Sequence, residues 1–156
     1  LGLISLLFPA SPIIQMVRHP LDAVLSTFAT QMTHGSYCAY ALDTAAAHYA
    51  LTADLAAHYR AQSPLNALVV RYEDIVERQE ESLRRMLDFI GAPFEPRCLS
   101  FERNRRPART ASYAQVTEPL HHRSRYRHRR YARHLQSIVP ILREAMDAHG
   151  YHAEQA

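Results

Sequence analysis

The chain has no lysine. All 18 of its basic residues are arginine, and it has no tryptophan. Skewed genomic base composition accounts for the missing lysine more simply than any functional demand for guanidinium chemistry. Cysteine is scarce: Cys38 and Cys98 stand sixty positions apart with no CxxC pattern. That excludes a disulfide framework and a cysteine zinc site, and leaves two reduced thiols in a reducing, cytoplasmic compartment as the expectation. No metal ligation is expected. No apolar run approaches the roughly 20 residues of a membrane span. The apolar stretch 1–10 lacks a basic leader and makes a poor secretory signal. There is no low-complexity segment and no internal repeat beyond a short Val-Arg echo. The first residue is Leu rather than Met, so a fragment of a longer protein is expected.

What is present is ordinary in bulk. The 156 residues are 47% hydrophobic and 21% charged, enough for one domain with a real core. The formal charge of +3 hides an asymmetry: eleven of the 18 arginines fall between Arg97 and Arg133. A basic segment of this kind signals a polyanionic partner, whether a nucleotide, an acidic peptide or a nucleic acid. The plain alternative, a solvated arginine-rich face, suffices for most of the eleven.

The informative stretch is Ile13-Ile14-Gln15-Met16-Val17-Arg18-His19-Pro20-Leu21-Asp22-Ala23-Val24-Leu25-Ser26. It begins as an apolar β-branched strand and then changes period. Pro20 suits the first turn of a helix, and Leu21, Val24, Leu25 and Phe28 follow at helical spacing to about Met32. Arg18 thus stands at a strand's carboxyl end before a helix N-terminus, where open α/β sheets bind ligands and where a phosphate is favoured.

The rest of the chain repeats the theme. Thr33 to Ser36 breaks the helix, and residues 37–42 are ambiguous. Asp43 is a plausible N-cap for an alanine-rich helix over 44–60. Its expected apolar side carries Ala46, Tyr49, Ala50, Ala53, Leu55 and Ala57. Ala67-Leu68-Val69-Val70-Arg71 reads as a second buried strand that again ends in Val-Arg. Two such strands, each leading into a helix, imply a parallel sheet with crossover helices. A helix over 79–90 presents Leu83, Met86, Leu87 and Ile90 to the core, with Gly91 as its C-terminal cap. Phe101 to Pro119 shows no period and reads as an extended loop across the binding edge. Residues 123–133 are basic, aromatic and partly helical. Ser137 is a candidate cap for a last helix through Ala148, with Pro140 tolerated in its first turn.

Three segments carry a family resemblance: Val17 to Ser26, Val70-Arg71-Tyr72-Glu73-Asp74-Ile75-Val76, and Arg109-Thr110-Ala111-Ser112-Tyr113-Ala114-Gln115-Val116. In this order and at these distances they resemble the sulfotransferases that use 3′-phosphoadenosine 5′-phosphosulfate (PAPS). The nearest branch looks like the bacterial TPR-linked and tyrosylprotein sulfotransferases. The resemblance runs from about Phe8 to Leu135. It implies a P-loop NTPase-like three-layer α/β fold, here incomplete at the N-terminus. Residues 1–156 would form one partial domain: a βα core over 1–96, a basic nucleotide-covering segment over 97–133, and a C-terminal helix and tail over 134–156.

The resemblance also implies roles. Arg18 and Ser26 look like the pair that grips the donor's 3′-phosphate, a guanidinium fork with an added hydroxyl. Tyr72 resembles the tyrosine beside the adenine, where stacking contributes on the order of 1–3 kcal/mol. Ser112 resembles the serine near the transferring sulfuryl group, and Arg127 falls where the family holds the donor phosphates with a basic residue. Sulfuryl transfer passes through a loose transition state, so donors set at the leaving oxygen lower the barrier. Each residue has a plainer reading. Arg18 could be a surface arginine, Ser26 a helix serine bonded back to Asp22, and Tyr72 a core residue. Arg127 could be one of several exposed arginines, with Arg125, Arg129 and Arg130 close enough to be confused with it. Glu73 and Asp74 suit the first turn of a helix and are assigned to structure.

Two departures stand out. The family's phosphosulfate loop, rich in Gly, Ser and Thr, is absent: Gly2, Gly35, Gly91 and Gly150 have no such context. No histidine has a motif for the general base, although His19, His121 and His122 are near the implied site. His128 stands where many relatives have tryptophan. The expectation is a C-terminal sulfotransferase portion that binds the 3′-phosphoadenosine end weakly, is inactive alone, and accepts a hydroxyl substrate such as a protein tyrosine. The competing readings are an arginine-rich nucleic-acid module stacking bases on Tyr113, Tyr126 and Tyr131, a non-catalytic remnant that pairs with another chain, and a P-loop kinase of similar architecture.

Overall fold

The structure is a computed structural model, and it describes residues 1–30, 37–63, 65–103 and 118–151. Two strands, β1 (Ile13–Val17) and β2 (Ala67–Arg71), pair in parallel from Ile13↔Ala67 to Val17↔Arg71. Parallel pairing follows from the connection. The chain leaves β1 at its carboxyl end, runs through α2 (Pro20–Thr30) and α3 (Leu42–Gln62), and returns to start β2 at the same end as β1. Helices dominate the rest: α1 (Gly2–Leu7), α4 (Tyr72–Glu77), α5 (Gln79–Ile90), α6 (Ala132–Leu135) and α7 (Val139–Asp147). The fold is therefore α/β, a small parallel sheet with mostly helical surroundings.

The core lies between α2, α3 and the C-terminal helices. Leu21 and Val24 from α2 meet Ala45 and Ala46 from α3, and Leu135, Ile138, Leu142, Met146 and Tyr151 close the cluster. Burying each large aliphatic side chain here contributes about 1.5–3 kcal/mol. The small side chains of Ala45 and Ala46 let α3 approach its neighbours closely. Gly2 does the same for α1: a Cβ there would come 2.7 Å from the Tyr59 ring of α3.

Local signals place most boundaries. α2 begins at Pro20 as expected, and Pro140 does sit in the first turn of α7. α5 spans the residues its periodicity indicates, and Gly91 closes it at φ 73°, a left-handed conformation that glycine adopts without strain.

Other expectations need correction. α3 starts at Leu42 with Ala41 before it, so Asp43 is a first-turn residue whose carboxylate accepts the Thr44 N–H at 2.8 Å. Its apolar side is not one buried face, since Leu55 is 51% exposed. Ile90 is 43% exposed and does not join the core face of α5. Ser137 makes no cap; it lies in a 3-10 turn, Gln136–Ile138, that runs directly into α7. The ambiguous stretch after residue 36 forms a 3-10 turn at Tyr37–Tyr40. The helix breaker at 33–36, the greater part of the Phe101–Pro119 loop (residues 104–117) and with it Ser112 lie outside the described residues.

Candidate functional site

The site forms where β1 hands over to α2. Arg18 directly follows β1, and its side chain is 24% exposed. Its guanidinium donates to the Ser124 carbonyl, lies 3.6 Å from Asp22 Oδ2, and sits 5.3 Å from the centre of the Tyr72 ring. The Tyr49 hydroxyl donates to the Arg18 carbonyl at 3.3 Å. The arginine is thus held by contacts from α2, α3, α4 and the basic segment, while its Nε is buried without a partner.

Asp22 is the hinge of the arrangement. It is 1% exposed. Its Oδ1 accepts the backbone N–H of His128 at 2.7 Å and faces His128 Nδ1 at 2.9 Å. Burial pushes this carboxyl up, but the two His128 hydrogen bonds and the charges of His128 and Arg18 outweigh it and hold the group below its ordinary 3.8. A charged acceptor bound to a backbone N–H fixes the 124–128 segment over the strand–helix junction. Tyr126, at φ 52°, turns the chain tightly there.

Behind Asp22 lies an aromatic stack. His19 is fully buried, and its ring lies 4.0 Å from that of His128, nearly parallel at 23°. The rings of Tyr126 and Tyr151 flank it. Neither ring nitrogen of His19 has a hydrogen-bond partner. Burial, and then the neighbouring His128, lower its pKa from 6.5 to about 4, so the ring is neutral at ordinary pH. The His19 backbone N–H donates to Glu73 Oε1 at 3.0 Å, and the Tyr151 hydroxyl donates to Glu73 Oε2 at 2.6 Å. Glu73 therefore ties α2, α4 and the C-terminal segment together, in keeping with the structural role assigned to it.

Of the candidate residues, Arg18 and Tyr72 are brought into contact. Ser26 lies two turns down α2 and is half-buried. Among the described residues its hydroxyl makes no bond back to Asp22; the helix serine's carbonyl instead accepts from Thr30 at 2.7 Å. Arg127 is exposed, and its guanidinium lies 6.0 Å from the Tyr131 ring centre. It is adjacent to the His128 backbone that Asp22 anchors. Arg125 pairs with Glu77 and lies 5.3 Å from the Tyr126 ring centre. The residues that hold the site together, Asp22 and His128, were not singled out for it by any spacing. The one available signal was a carboxylate placed in the apolar face of α2. Among the described residues no cluster of His, Cys, Asp and Glu is arranged to hold a metal ion, and no helix is long and apolar enough to cross a membrane.

An arginine at the β1–α2 junction beside an aromatic ring, with residues 124–128 of the basic segment over it, is set in an α/β module. A sequence model of the sulfotransferase family matches residues 1–96. The chain belongs to that family. It is also 31% identical over 147 residues to an uncharacterized protein of Aquifex aeolicus (strain VF5), covering 92% of this chain but 19% of the relative. The chain thus spans about a fifth of the length of the curated relative it matches.

Proposed function

We propose that this chain binds the 3′-phosphoadenosine end of PAPS and contributes that side of the donor site to sulfuryl transfer onto a hydroxyl acceptor. The observation that carries the reading is the Arg18–Tyr72 pair at the end of β1, roofed by the Ser124 and His128 anchors. A guanidinium fork suits a phosphate, and an aromatic face next to it suits a purine. In this reading Arg18 and Ser26 hold the 3′-phosphate, Tyr72 packs by the adenine, and Arg127 and Ser112 serve the phosphates and the bridging oxygen. In this reading the basic segment 97–133 covers the nucleotide bound on the 1–96 core, and 134–156 is the C-terminal helix and tail. The sulfur–oxygen bond to the leaving phosphate breaks as one to the acceptor oxygen forms, and the acceptor proton goes to a base. This chain carries no glycine-rich phosphosulfate loop and no motif-supported base, so it is proposed to be inactive unless another segment supplies both. The resemblance of the three motifs to the TPR-linked and tyrosylprotein branch supports a P-loop-like three-layer setting, with a peptide tyrosine as one acceptor of the hydroxyl class.

Calorimetric titration with 3′-phosphoadenosine 5′-phosphate tests the reading. Arg18→Ala removes a charge-assisted phosphate contact of about 1.5–3 kcal/mol, a loss of roughly tenfold to a hundredfold in affinity. Circular dichroism checks that the variant is folded. Absence of nucleotide binding to the wild-type chain, or binding unchanged in Arg18→Ala, refutes the assignment. Single-stranded nucleic acid bound far more tightly than the mononucleotide, with a steep salt slope, would establish the nucleic-acid module instead.

A further inference from the structure

A second group of cations converges elsewhere in the fold. Val69 and Arg71 point to one face of β2, since alternate strand residues share a side. Arg60 reaches that face from the last turn of α3, Arg85 from α5, and His149 from the turn after α7. With Asp74 they line an open cleft of about 340 Å³.

Convergence on one cleft, together with the lack of a carboxylate partner, sets these arginines apart from several others on the surface. Arg78, Arg84, Arg97, Arg123 and Arg125 each sit against a carboxylate. Among the described residues, none of the three arginines in the cleft does. Arg60 donates to the neutral side chain of Gln15. Arg71 lies 4.2 Å from the centre of the Tyr151 ring, and its Nε is buried without a partner. Asp74 is the one carboxylate in the lining, and it is shared with Arg78 at 3.5 Å. Three guanidiniums facing one cleft against a single shared carboxylate leave an excess of positive charge. Guanidinium forks match the oxygens of a tetrahedral oxyanion, which would supply the missing counter-charge.

We propose that this cleft is a second anion site, lined by arginines other than Arg18 although His149 borders the Arg18 pocket as well, and that it takes a compact oxyanion: a phosphate or sulfate group, free or at the end of an ester. It does not depend on the donor-site reading. The volume lies at the small end for ligand pockets, so the charged group and a short part of its carrier fit, not a whole dinucleotide.

His149 provides a reporter in the cleft. Burial, and then the charges of Arg60 and Arg71, lower its pKa below the ordinary 6.5. An anion bound beside it reverses the electrostatic part of that shift. The experiment is an NMR titration of the His149 ring, assigned with His149→Gln. It is run in chloride, in inorganic phosphate and in α-glycerol phosphate at equal ionic strength. The His149 pKa rises in phosphate but not in chloride. Arg85→Gln, an exposed change on α5, weakens the phosphate effect about tenfold, and Arg60→Gln does the same. A stronger response to glycerol phosphate identifies an ester as the source, and a stronger response to inorganic phosphate identifies the free ion. A His149 pKa that does not respond to either phosphate overturns the proposal. So does a response equal in chloride, or one unchanged in both arginine variants.

Discussion

His19 gives the sharpest quantitative test, because its side chain is fully buried yet its ring makes no hydrogen bond. Its pKa falls from 6.5 to about 4 on folding. The folded state disfavours the protonated ring, so the unfolded chain takes up the proton first. The contribution is therefore complete above about pH 6.5 and is lost as the pH falls toward about 4. At about 1.36 kcal/mol per unit, the full loss is roughly 3 kcal/mol, and about 2 kcal/mol of it has gone by about pH 5. Asp22 does not confuse this window. Its pKa is lowered from 3.8, so its own effect begins only below that value. The comparison is urea unfolding of the wild type and His19→Leu at about pH 7.5 and about pH 5. At the higher pH the variant is within about 1 kcal/mol of wild type, since no ring hydrogen bond is lost and the backbone bond to Glu73 survives. At the lower pH the wild type loses about 2 kcal/mol more than the variant does. The contribution of His149 is common to both proteins and cancels. Equal pH dependence in the two would refute the reasoning.

The other expectations concern the anchors around this ring. Asp22→Ala removes the carboxylate that accepts the buried His128 backbone N–H and faces its ring Nδ1 and destabilises by about 3 kcal/mol, whereas Asp22→Asn, which keeps an acceptor, loses roughly half as much; urea unfolding separates them. Tyr151→Phe removes the donor to the buried Glu73 carboxylate and costs about 1.5–3 kcal/mol by the same measurement. A loss below about 0.5 kcal/mol in Asp22→Ala would mean that the basic segment is not held through this carboxylate.

Much of the frame could be read from local pattern. The two apolar runs ending in Val-Arg are the two strands, and the helical periods after them are α2 and α5. The placement of Arg18 at a strand end, and of Glu73 in the first turn that follows, comes from the same short-range logic. These features depend on residues a few positions apart, and backbone geometry converts such spacing into strands and helices almost without regard to the rest of the chain. The same logic failed for α3, where an alanine-rich helix has no strong apolar stripe to say which side is buried.

What tertiary packing alone decided is the wiring of the site. Asp22 meets His128 across 106 residues, and Glu73 meets Tyr151 across 78. No periodicity encodes such pairs, because each forms only after the whole core has closed and left a buried acceptor in reach of one particular donor. The same closure made His19, which the sequence places only near the implied site, a neutral ring in a stack. It also gathered Arg60, Arg71 and Arg85 from three elements into one cleft. By itself the sequence determined which residues end strands and start helices; the fold determined which charges face one another, since electrostatic pairing depends on distance in space and not on distance along the chain.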